Sequence, residues 1–325
     1  MSFLNLAAYG LLAASTLASP LDASSPAPAE PRAGVSLPGL PAGCMTSYKG
    51  IAWGWLPDDE HADKVNMASL ASSSGKKGCF FGDYSHIKGS SYDGSDISGK
   101  AKAADGAIIV PSIMPDGVGW KQVDAALAGR IANVAKGFAG QGLTVYLRFA
   151  HEMNCYAKPG CATPAYPGGT DYGAYKTAWV NVAKECRKIK GCYMMWSPNA
   201  NDQDQLGNWW PGAEYVDIVA LDSYPRDQAK IEQGFAGSFG KVHDDFAKKY
   251  NKPFMIGETG FAGSQALKTD WVRRLANVDN LSQYPNYKGA MWFEYNKYEN
   301  GKQNNFYVIN GHTKKEIDAV VANFQ

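Results

Sequence analysis

Two glutamates in this sequence stand among residues that could support acid–base and nucleophilic chemistry. The string R-F-A-H-E-M-N occupies residues 148–154 and contains Glu152, and the string G-E-T-G begins at Gly257 and contains Glu258. Two facing carboxyl groups can hydrolyse a glycosidic bond, because one donates a proton to the leaving oxygen while the other attacks the anomeric carbon. A separation of about 5–5.5 Å gives a covalent intermediate and retained configuration. The fold must therefore bring these two side chains together.

Eight short apolar or aromatic runs alternate with longer helical or loop segments. They are Ile51–Trp55, Cys79–Tyr84, Ala107–Ile113, Leu143–Phe149, Cys192–Trp196, Val216–Leu221, Pro253–Ile256 and Gly289–Phe293. Apolar residues at helical spacing follow several runs: Val123, Leu127, Ile131, Val134 and Phe138; Tyr175, Trp179, Val182, Cys186 and Ile189; Val242, Phe246 and Tyr250. In the last segment Thr313 precedes Glu316 in a capping-box pattern.

This alternation predicts a parallel sheet, either closed as a barrel or open and doubly wound. An open sheet that binds a dinucleotide would carry G-x-G-x-x-G after an early strand, and the sequence has no such motif. We therefore expect an α/β fold, a single-domain (β/α)₈ TIM barrel.

Catalytic groups of such barrels come from the carboxyl ends of the strands. Glu152 follows the fourth run and Glu258 follows the seventh, so both are expected at the same mouth. Arg148, within an apolar run, is either a structural ion-pair partner or a cation that keeps a nucleophilic carboxylate ionised. His151 is either a satisfied core histidine or a residue that orients the site and binds a sugar hydroxyl.

The amino-terminal residues and the cysteines predict that the chain is exported. Residues 1–18 read as a signal peptide and residues 19–43, rich in Pro, Ala and Ser, as a leader outside the core, which leaves 44–325 as the catalytic domain. Six cysteines fit an oxidising compartment. Of the fifteen possible connectivities we favour the one with the shortest local loops. It pairs Cys155 with Cys161, Cys186 with Cys192 and Cys44 with Cys79.

Charge and composition exclude several classes of partner. The net charge is +1 and no run of like charges is present, so neither nucleic acid nor a membrane is an expected partner. No C-x-x-C pair occurs and the five histidines are scattered, so no metal or cofactor is expected. The absence of G-x-S-x-G argues against a serine esterase or peptidase. Aromatic residues make up 12% of the chain, which suits a sugar-binding cleft as well as a core.

Four motifs in order give a specific resemblance. R-F-A-H-E-M-N (148–154), W-S-P-N (196–199), W-P-G-A-E-Y-V-D-I-V-A-L-D-S-Y (210–224) and G-E-T-G (257–260) together resemble glycoside hydrolase family 26. The resemblance covers about residues 51–324 and implies a retaining enzyme with Glu152 as acid/base and Glu258 as nucleophile. It also implies a sugar contact for His151, positions near the nucleophile for Asp222 and Tyr224, and a sugar floor at Trp292. Asn154 and Trp196 are expected to support the site. The residues expected to contact substrate are Arg148, His151, Tyr156, Trp196, Asp222, Tyr224 and Trp292.

One departure from the family pattern concerns the substrate. Mannan-cleaving members typically continue after H-E-M-N with Gly and a Trp-rich stretch, whereas C-Y-A-K-P-G-C stands here at residues 155–161. Tyr156 is either a replacement stacking ring or part of the packing around the Cys155–Cys161 bridge.

The resemblance implies an endo-β-glycanase acting on a cell-wall polysaccharide, and the predicted signal peptide implies that it is secreted. We expect it to act as a monomer on a polysaccharide or oligosaccharide substrate. β-1,4-Mannan is the first choice of substrate, and mixed-linkage β-1,3-1,4-glucan and β-1,3-xylan are the alternatives within the family. A barrel that binds carbohydrate without hydrolysing it is the non-enzymatic alternative.

Overall fold

The computed structural model describes residues 35–59, 63–161, 163–299 and 301–325. In this part of the chain eight parallel strands close into a barrel in sequence order, with β8 paired to β1, which confirms the predicted (β/α)₈ fold. The barrel strands are β1 Ala52–Pro57, β2 Phe80–His86, β3 Ile108–Met114, β4 Val145–Phe149, β5 Cys192–Trp196, β6 Ile218–Asp222, β7 Phe254–Thr259 and β8 Tyr287–Glu294. A hairpin of β9 Asn296–Glu299 and β10 Lys302–Asn305 follows β8.

Helices fill the connections between the strands. The α-helices are α1 Met67–Ser74, α2 Ala125–Ala139, α3 Met153–Tyr156, α4 Tyr172–Cys186, α5 Leu206–Trp209, α6 Gln228–Glu232, α7 Gln265–Ala276 and α8 Lys314–Val321. Two π-helical segments, Ala236–Gly240 and His243–Lys248, follow α6, and short 3₁₀ turns lie at Ser98–Ala101, Trp120–Gln122, Gln203–Gln205, Ala213–Tyr215 and Leu281–Gln283. The capping box at the start of α8 is present as predicted, with Thr313 and Glu316 bonded reciprocally.

The core has two layers because successive strand residues point to opposite faces of the sheet. One face of the strands packs against the helices, including the predicted stripe of α2. The other face fills the barrel with large side chains. These interior residues are Leu56, Phe80, Ile108, Val110, Tyr146, Met195, Ile218, Ala220, Met255, Met291 and Phe293. The barrel is thus a packed core, and its open end is free to carry the site.

Residues 35–43 lie within the segment expected to be a leader outside the core, yet part of it packs against the barrel. Leu37 is buried and belongs to the interior cluster at the amino ends of the strands. The Tyr146 hydroxyl donates a hydrogen bond to the Pro38 carbonyl (2.7 Å). The packed part of the chain therefore begins before Gly43, because an apolar residue is needed to cover this end of the barrel.

The structure contains the three disulfides chosen from cysteine spacing. Cys44 joins the segment before β1 to Cys79 at the start of β2. Cys155–Cys161 closes the loop after β4, and Cys186–Cys192 ties the end of α4 to β5. The predicted signal peptide lies outside the described residues. Among those described, no helix has the length and apolar character that crossing a bilayer requires.

Removing the Leu37 side chain tests whether this segment belongs to the fold. We expect Leu37→Ala to lower the free energy of unfolding by about 2–3 kcal/mol, because the truncation leaves a cavity at the base of the barrel. Leu40→Ala is the matched control, since Leu40 is 37% exposed. Urea denaturation of both variants measures the difference. Equal and small losses would show that Leu37 adds nothing to the core.

Candidate active site

The two glutamates meet at the carboxyl ends of the barrel strands. Glu152 follows β4 and Glu258 lies at the end of β7. One side-chain oxygen from each, together with one from Asp222, lies within 4.8 Å of the others. This spacing matches the short separation that a retaining glycosidase needs and leaves less room than an inverting enzyme requires.

The backbone before α3 adopts an unusual conformation that presents Glu152 to the site. Ala150 and Glu152 both have positive φ, 49° and 51°. Left-handed conformations cost about 1 kcal/mol or more for residues other than glycine and recur at active sites. Two hydrogen bonds hold this turn, from the Ala150 amide to the Ile113 carbonyl and from the Glu152 amide to the Ser197 carbonyl (2.7 Å). Neighbouring strand ends therefore fix the position of Glu152.

Glu258 is buried and accepts three hydrogen bonds. Tyr84 donates to Oε1 (2.7 Å), Arg148 Nη1 donates to the same oxygen (2.5 Å), and Tyr224 donates to Oε2 (2.8 Å). Burial alone would raise the pKa of Glu258, but the charge and hydrogen bond of Arg148, with the hydrogen bond from Tyr84, outweigh it and lower the pKa to about 2. Glu258 is thus an ionised carboxylate at neutral pH.

Arg148 lies beneath this carboxylate inside the barrel. Its side chain is fully buried, and it contacts Glu258, Asp222 and Ser112 Oγ (2.9 Å). Burial alone would lower the pKa of Arg148, but the two carboxylates raise it well above its ordinary value. The guanidinium therefore stays charged and holds two carboxyl groups in one arrangement.

Asp222, at the end of β6, is held on its other side by the Ser197 hydroxyl (2.7 Å). Burial raises the pKa of Asp222 well above its usual range, and Arg148 opposes that change. Gly257 makes this packing possible. A Cβ at Gly257 would lie 2.3 Å from Asp222 Oδ1 and 2.4 Å from Ser197 Oγ, so no larger residue fits before Glu258.

Glu152 occupies a different electrostatic environment. Asn199 Nδ2 donates to its Oε1 (2.8 Å), and Asn199 is in turn held by Asn154, whose Oδ1 accepts from the Asn199 amide (2.8 Å). Burial and the charge of Glu258 raise the pKa of Glu152 to about 7, and the Asn199 hydrogen bond opposes that rise. Two carboxyl groups with opposite pKa shifts form a proton donor and an ionised partner.

A cleft of about 890 Å³ surrounds the pair. Aromatic rings dominate its apolar lining: Tyr84, Tyr156, Phe261, Phe293, Tyr295 and Phe306. Phe293 and Tyr295 stack face to face with centroids 4.1 Å apart, and Lys297 lies over the Phe293 ring. Such flat apolar faces suit the apolar faces of sugar rings. The loop closed by Cys155–Cys161 forms part of the rim.

Four of the predicted contact residues line the cleft: His151, Tyr156, Asp222 and Tyr224. His151 Nε2 is 3.9 Å from Glu258 Oε1. Burial and Arg148 lower the pKa of His151 to about 3, so its imidazole is neutral. Tyr156 stacks on Tyr166, with centroids 4.7 Å apart, and also faces the cleft. The Tyr156 ring is therefore accessible from the cleft, and the ring on which it stacks is that of Tyr166.

The structure corrects three predicted contacts. Arg148 is wholly buried beneath Glu258, where it cannot touch a sugar. Trp196 and Trp292 are buried in the layer between the sheet and the helices, and Trp292 Nε1 donates to the Phe306 carbonyl (2.9 Å). Adjacent strand residues point to opposite faces, so Phe293, not Trp292, faces the mouth.

Sequence reasoning missed Tyr84 and Asn199, which bind the two glutamates directly. Tyr84 is the last residue of the second predicted run. A polar side chain at a strand end is therefore the signal that could have identified it. Asn199 is the last residue of the W-S-P-N motif, and its place in that motif is the signal that could have identified it.

Three carboxyl groups so close together also raise the question of a metal ion. Glu152, Asp222 and Glu258 are the group of possible ligands found among the described residues. Arg148, Tyr84 and Tyr224 already direct donors at the oxygens of Glu258, and Arg148 with Ser197 does so at Asp222. A cation would have to displace these donors, so the geometry favours a carboxyl pair over a metal centre.

Comparisons with known proteins identify sequences that are similar to this chain. Residues 101–256 match the model of glycosyl hydrolase family 26. A mannan endo-1,4-beta-mannosidase of Bacillus subtilis is 30% identical over 161 residues, which cover 46% of this chain and 39% of that protein. Mannan endo-1,4-beta-mannosidase A and B of Caldalkalibacillus mannanilyticus is 28% identical over 174 residues, covering 52% of this chain and 31% of that protein. The matches thus span less than half the length of these curated relatives.

Solved structures show the same fold. A modular endo-beta-1,4-mannanase of Cellulomonas fimi aligns with a TM-score of 0.60 at 16% identity, over 85% of this chain and 71% of that one. A beta-mannanase of Bacteroides ovatus aligns with a TM-score of 0.55 at 18% identity, over 85% of this chain and 88% of that one. The resemblance inferred from the four motifs is confirmed.

The raised pKa of Glu152 predicts a pH-dependent stability difference. The folded chain binds this proton more tightly than the unfolded chain, so ionising Glu152 costs stability as pH rises from its ordinary value of 4.5 through about 7. Glu152→Gln cannot ionise and escapes this cost. We expect its unfolding free energy, relative to wild type, to rise by about 1–3 kcal/mol across that window and then level off.

Urea denaturation between pH 4 and pH 8.5 measures this difference, with the surface variant Glu232→Gln as the control for replacing a glutamate. A constant difference between Glu152→Gln and wild type would contradict the raised pKa.

Proposed function

We propose that this chain is a member of glycosyl hydrolase family 26 and a retaining endo-β-glycanase whose first-choice substrate is β-1,4-mannan. The observation that carries the proposal is the pair of facing carboxyl groups with opposite pKa shifts, about 7 for Glu152 and about 2 for Glu258. Support for mannan comes from the curated relatives, which are named as mannan endo-1,4-beta-mannosidases.

In the first step Glu258 attacks the anomeric carbon while Glu152 gives its proton to the leaving oxygen. The C–O bond to the leaving sugar breaks as the bond to Glu258 forms, so the negative charge of Glu258 is consumed and Glu152 becomes ionised. Ionising Glu152 is easier once Glu258 is esterified, because the neighbouring negative charge that raised its pKa is gone.

In the second step Glu152 removes a proton from water, and the resulting hydroxyl attacks the same carbon. The bond to Glu258 breaks, its carboxylate is restored and Glu152 regains its proton. Two inversions at one carbon leave the configuration unchanged.

The residues around Glu258 position the nucleophile. Arg148 and Tyr84 bind Oε1 and Tyr224 binds Oε2, so the carboxylate is held in a fixed orientation before substrate arrives. His151, neutral and beside Glu258, is placed to hydrogen-bond a sugar hydroxyl. Tyr156 and the stacked Phe293–Tyr295 pair offer ring faces to sugars along the cleft.

Two further features support the wider proposal. The cleft volume of about 890 Å³ is near the upper end of the range for small-molecule sites, which suits a chain of several sugars and internal cleavage. Three disulfides suit an oxidising compartment, in agreement with export of the chain. We propose that the protein acts outside the cell as a monomer without a cofactor.

Reducing-sugar release from a panel of polymers tests the substrate and the mechanism. The panel contains galactomannan, glucomannan, mixed-linkage glucan, β-1,3-xylan and β-1,3-glucan. We expect release from mannans, with Glu258→Ala and Glu152→Ala each lowering kcat by about 10³-fold or more. Binding of a polymer without release by the wild type would favour the carbohydrate-binding alternative, and release from a glucan or xylan would reassign the substrate.

Azide separates the two roles when an activated aryl β-glycoside is the substrate. In Glu258→Ala, azide takes the place of the nucleophile and should give the α-glycosyl azide. In Glu152→Ala, azide attacks the glycosyl-enzyme and should give the β-glycosyl azide. Exchange of these two outcomes would reverse the assignment of acid/base and nucleophile.

The pH profile of kcat/KM reports on both groups. Activity requires ionised Glu258 and protonated Glu152, so it should fall on the alkaline side near pH 7 and persist well into acid. Asn199→Ala removes the bond that favours ionised Glu152, and the alkaline limb should move up by roughly 0.5–1 pH unit. Asn201→Ala is the control, since the Asn201 side chain contacts Cys161 Sγ instead. If Asn199→Ala leaves the alkaline fall of kcat/KM at the same pH, ionisation of Glu152 does not cause that fall.

A further inference from the structure

A second pocket of about 420 Å³ adjoins the catalytic cleft beside β6. The two cavities share a wall, because the same residues line both of them: Ala200, Asn201, Ser223, Tyr224, Pro225 and Arg226. Tyr224 stands at the junction, since its hydroxyl donates to Glu258. A group entering this side pocket would therefore be attached to a sugar bound close to the nucleophile.

The side pocket is cationic. Arg226 and Lys230 line it, and within the described ranges neither forms an ion pair, although Lys230 Nζ lies 3.3 Å from Gln233 Oε1. Asp227 is the one carboxylate in the lining, and it accepts a hydrogen bond from the Lys230 amide (2.9 Å) as the cap of α6. Two cations thus face one carboxylate that already has a partner.

Two other lysines near the cleft have carboxylate partners. Lys297 pairs with Glu299 on the β9–β10 hairpin, and Lys158 pairs with Asp202 (2.6 Å) beside the disulfide loop. The chain as a whole carries a net charge of only +1, so the positive charge of the side pocket is a local feature. Its chemistry calls for an anionic partner from outside the chain.

We propose that this side pocket binds a carboxylate-bearing branch sugar, a uronic acid attached to the main chain of the polysaccharide. The planar donors of Arg226 match a carboxylate in two-point geometry, and Lys230 adds a second charge. Ser223, Ser238 and Asn201 offer hydrogen bonds to ring hydroxyls, and the volume is large enough for one pyranose ring. This inference rests on the proposed glycanase function, and it makes acidic substitution a determinant of specificity.

The test compares one polymer in two forms. Galactomannan carries neutral galactose branches, and oxidation of their C6 hydroxymethyl groups to carboxylates changes the branch charge while keeping the backbone. We expect the wild type to prefer the carboxylated form by about threefold to tenfold in kcat/KM at low ionic strength. The ratio of kcat/KM for the carboxylated form to kcat/KM for the neutral form should fall towards one in about 0.5 M NaCl, because salt screens exposed charges.

Variants locate the effect. Arg226→Gln/Lys230→Gln should bring the ratio of kcat/KM for the carboxylated form to kcat/KM for the neutral form down to about one. Lys136→Gln/Lys184→Gln removes two exposed charges from the outer helices α2 and α4 and should keep the preference. A wild-type ratio of one or less, or the same preference in the Arg226/Lys230 variant, would overturn the proposal.

Direct binding separates this inference from the proposed function. Ligand-observed NMR can compare methyl α-galacturonide with methyl α-galactoside on wild type and on both double variants. If neither polymer is cut, the mannanase proposal fails. The binding measurement then tests separately whether the side pocket binds a uronic acid. Binding of the galacturonide that requires Arg226 and Lys230 supports the pocket, whereas equal binding of both sugars overturns it.

Discussion

The buried ion pair between Arg148 and Glu258 is the interaction on which the site depends. A charge inside a barrel is costly unless it is paired and hydrogen-bonded, and here one guanidinium faces two carboxyl groups, those of Glu258 and Asp222. The surrounding structure follows from that arrangement. Gly257 leaves room for Asp222, Ser197 holds the far side of Asp222, and Tyr84 and Tyr224 occupy the remaining acceptor positions of Glu258.

The same pair explains how two chemically identical side chains acquire opposite pKa shifts. Glu258 lies against Arg148 and stays ionised, whereas Glu152 receives one neutral hydrogen bond from Asn199 and lies close to the negative charge of Glu258. The strained turn at Ala150 and Glu152 fixes that distance, and the barrel strands on either side hold the turn. The strained turn lowers the stability locally, and it keeps the Glu152 carboxyl group in a place where its pKa is near neutral.

Much of this arrangement could be predicted from sequence. The eight apolar runs predict a parallel sheet, the missing dinucleotide-binding motif favours its closure into a barrel, and the rule that catalytic groups lie at strand ends selects both glutamates. The face of the sheet to which a single side chain points is harder to predict from the sequence. The sequence predicts that Trp292 and Trp196 contact the substrate, but both face the helices. A shift of one residue along a strand moves a side chain to the other face, and a continuous apolar run does not show which face each residue takes.

Other features depend on contacts between distant parts of the chain. Tyr84 reaches Glu258 across 174 residues of sequence, and Leu37 covers the barrel from a segment whose composition indicates a leader. The apolar neighbours of Arg148 in the sequence predict that it is buried. Its position beneath Glu258 could be known only from the closed barrel, because the two residues lie on different strands.

The central claim is that Glu258 is the nucleophile, and trapping the glycosyl-enzyme tests it most directly. A 2-deoxy-2-fluoro-β-mannosyl fluoride should form the intermediate faster than it is hydrolysed, and mass spectrometry of the digested protein then locates the sugar. The account predicts one label, carried by the peptide that contains Glu258. A label on Glu152, or an unlabelled enzyme that releases product of inverted configuration, would contradict it.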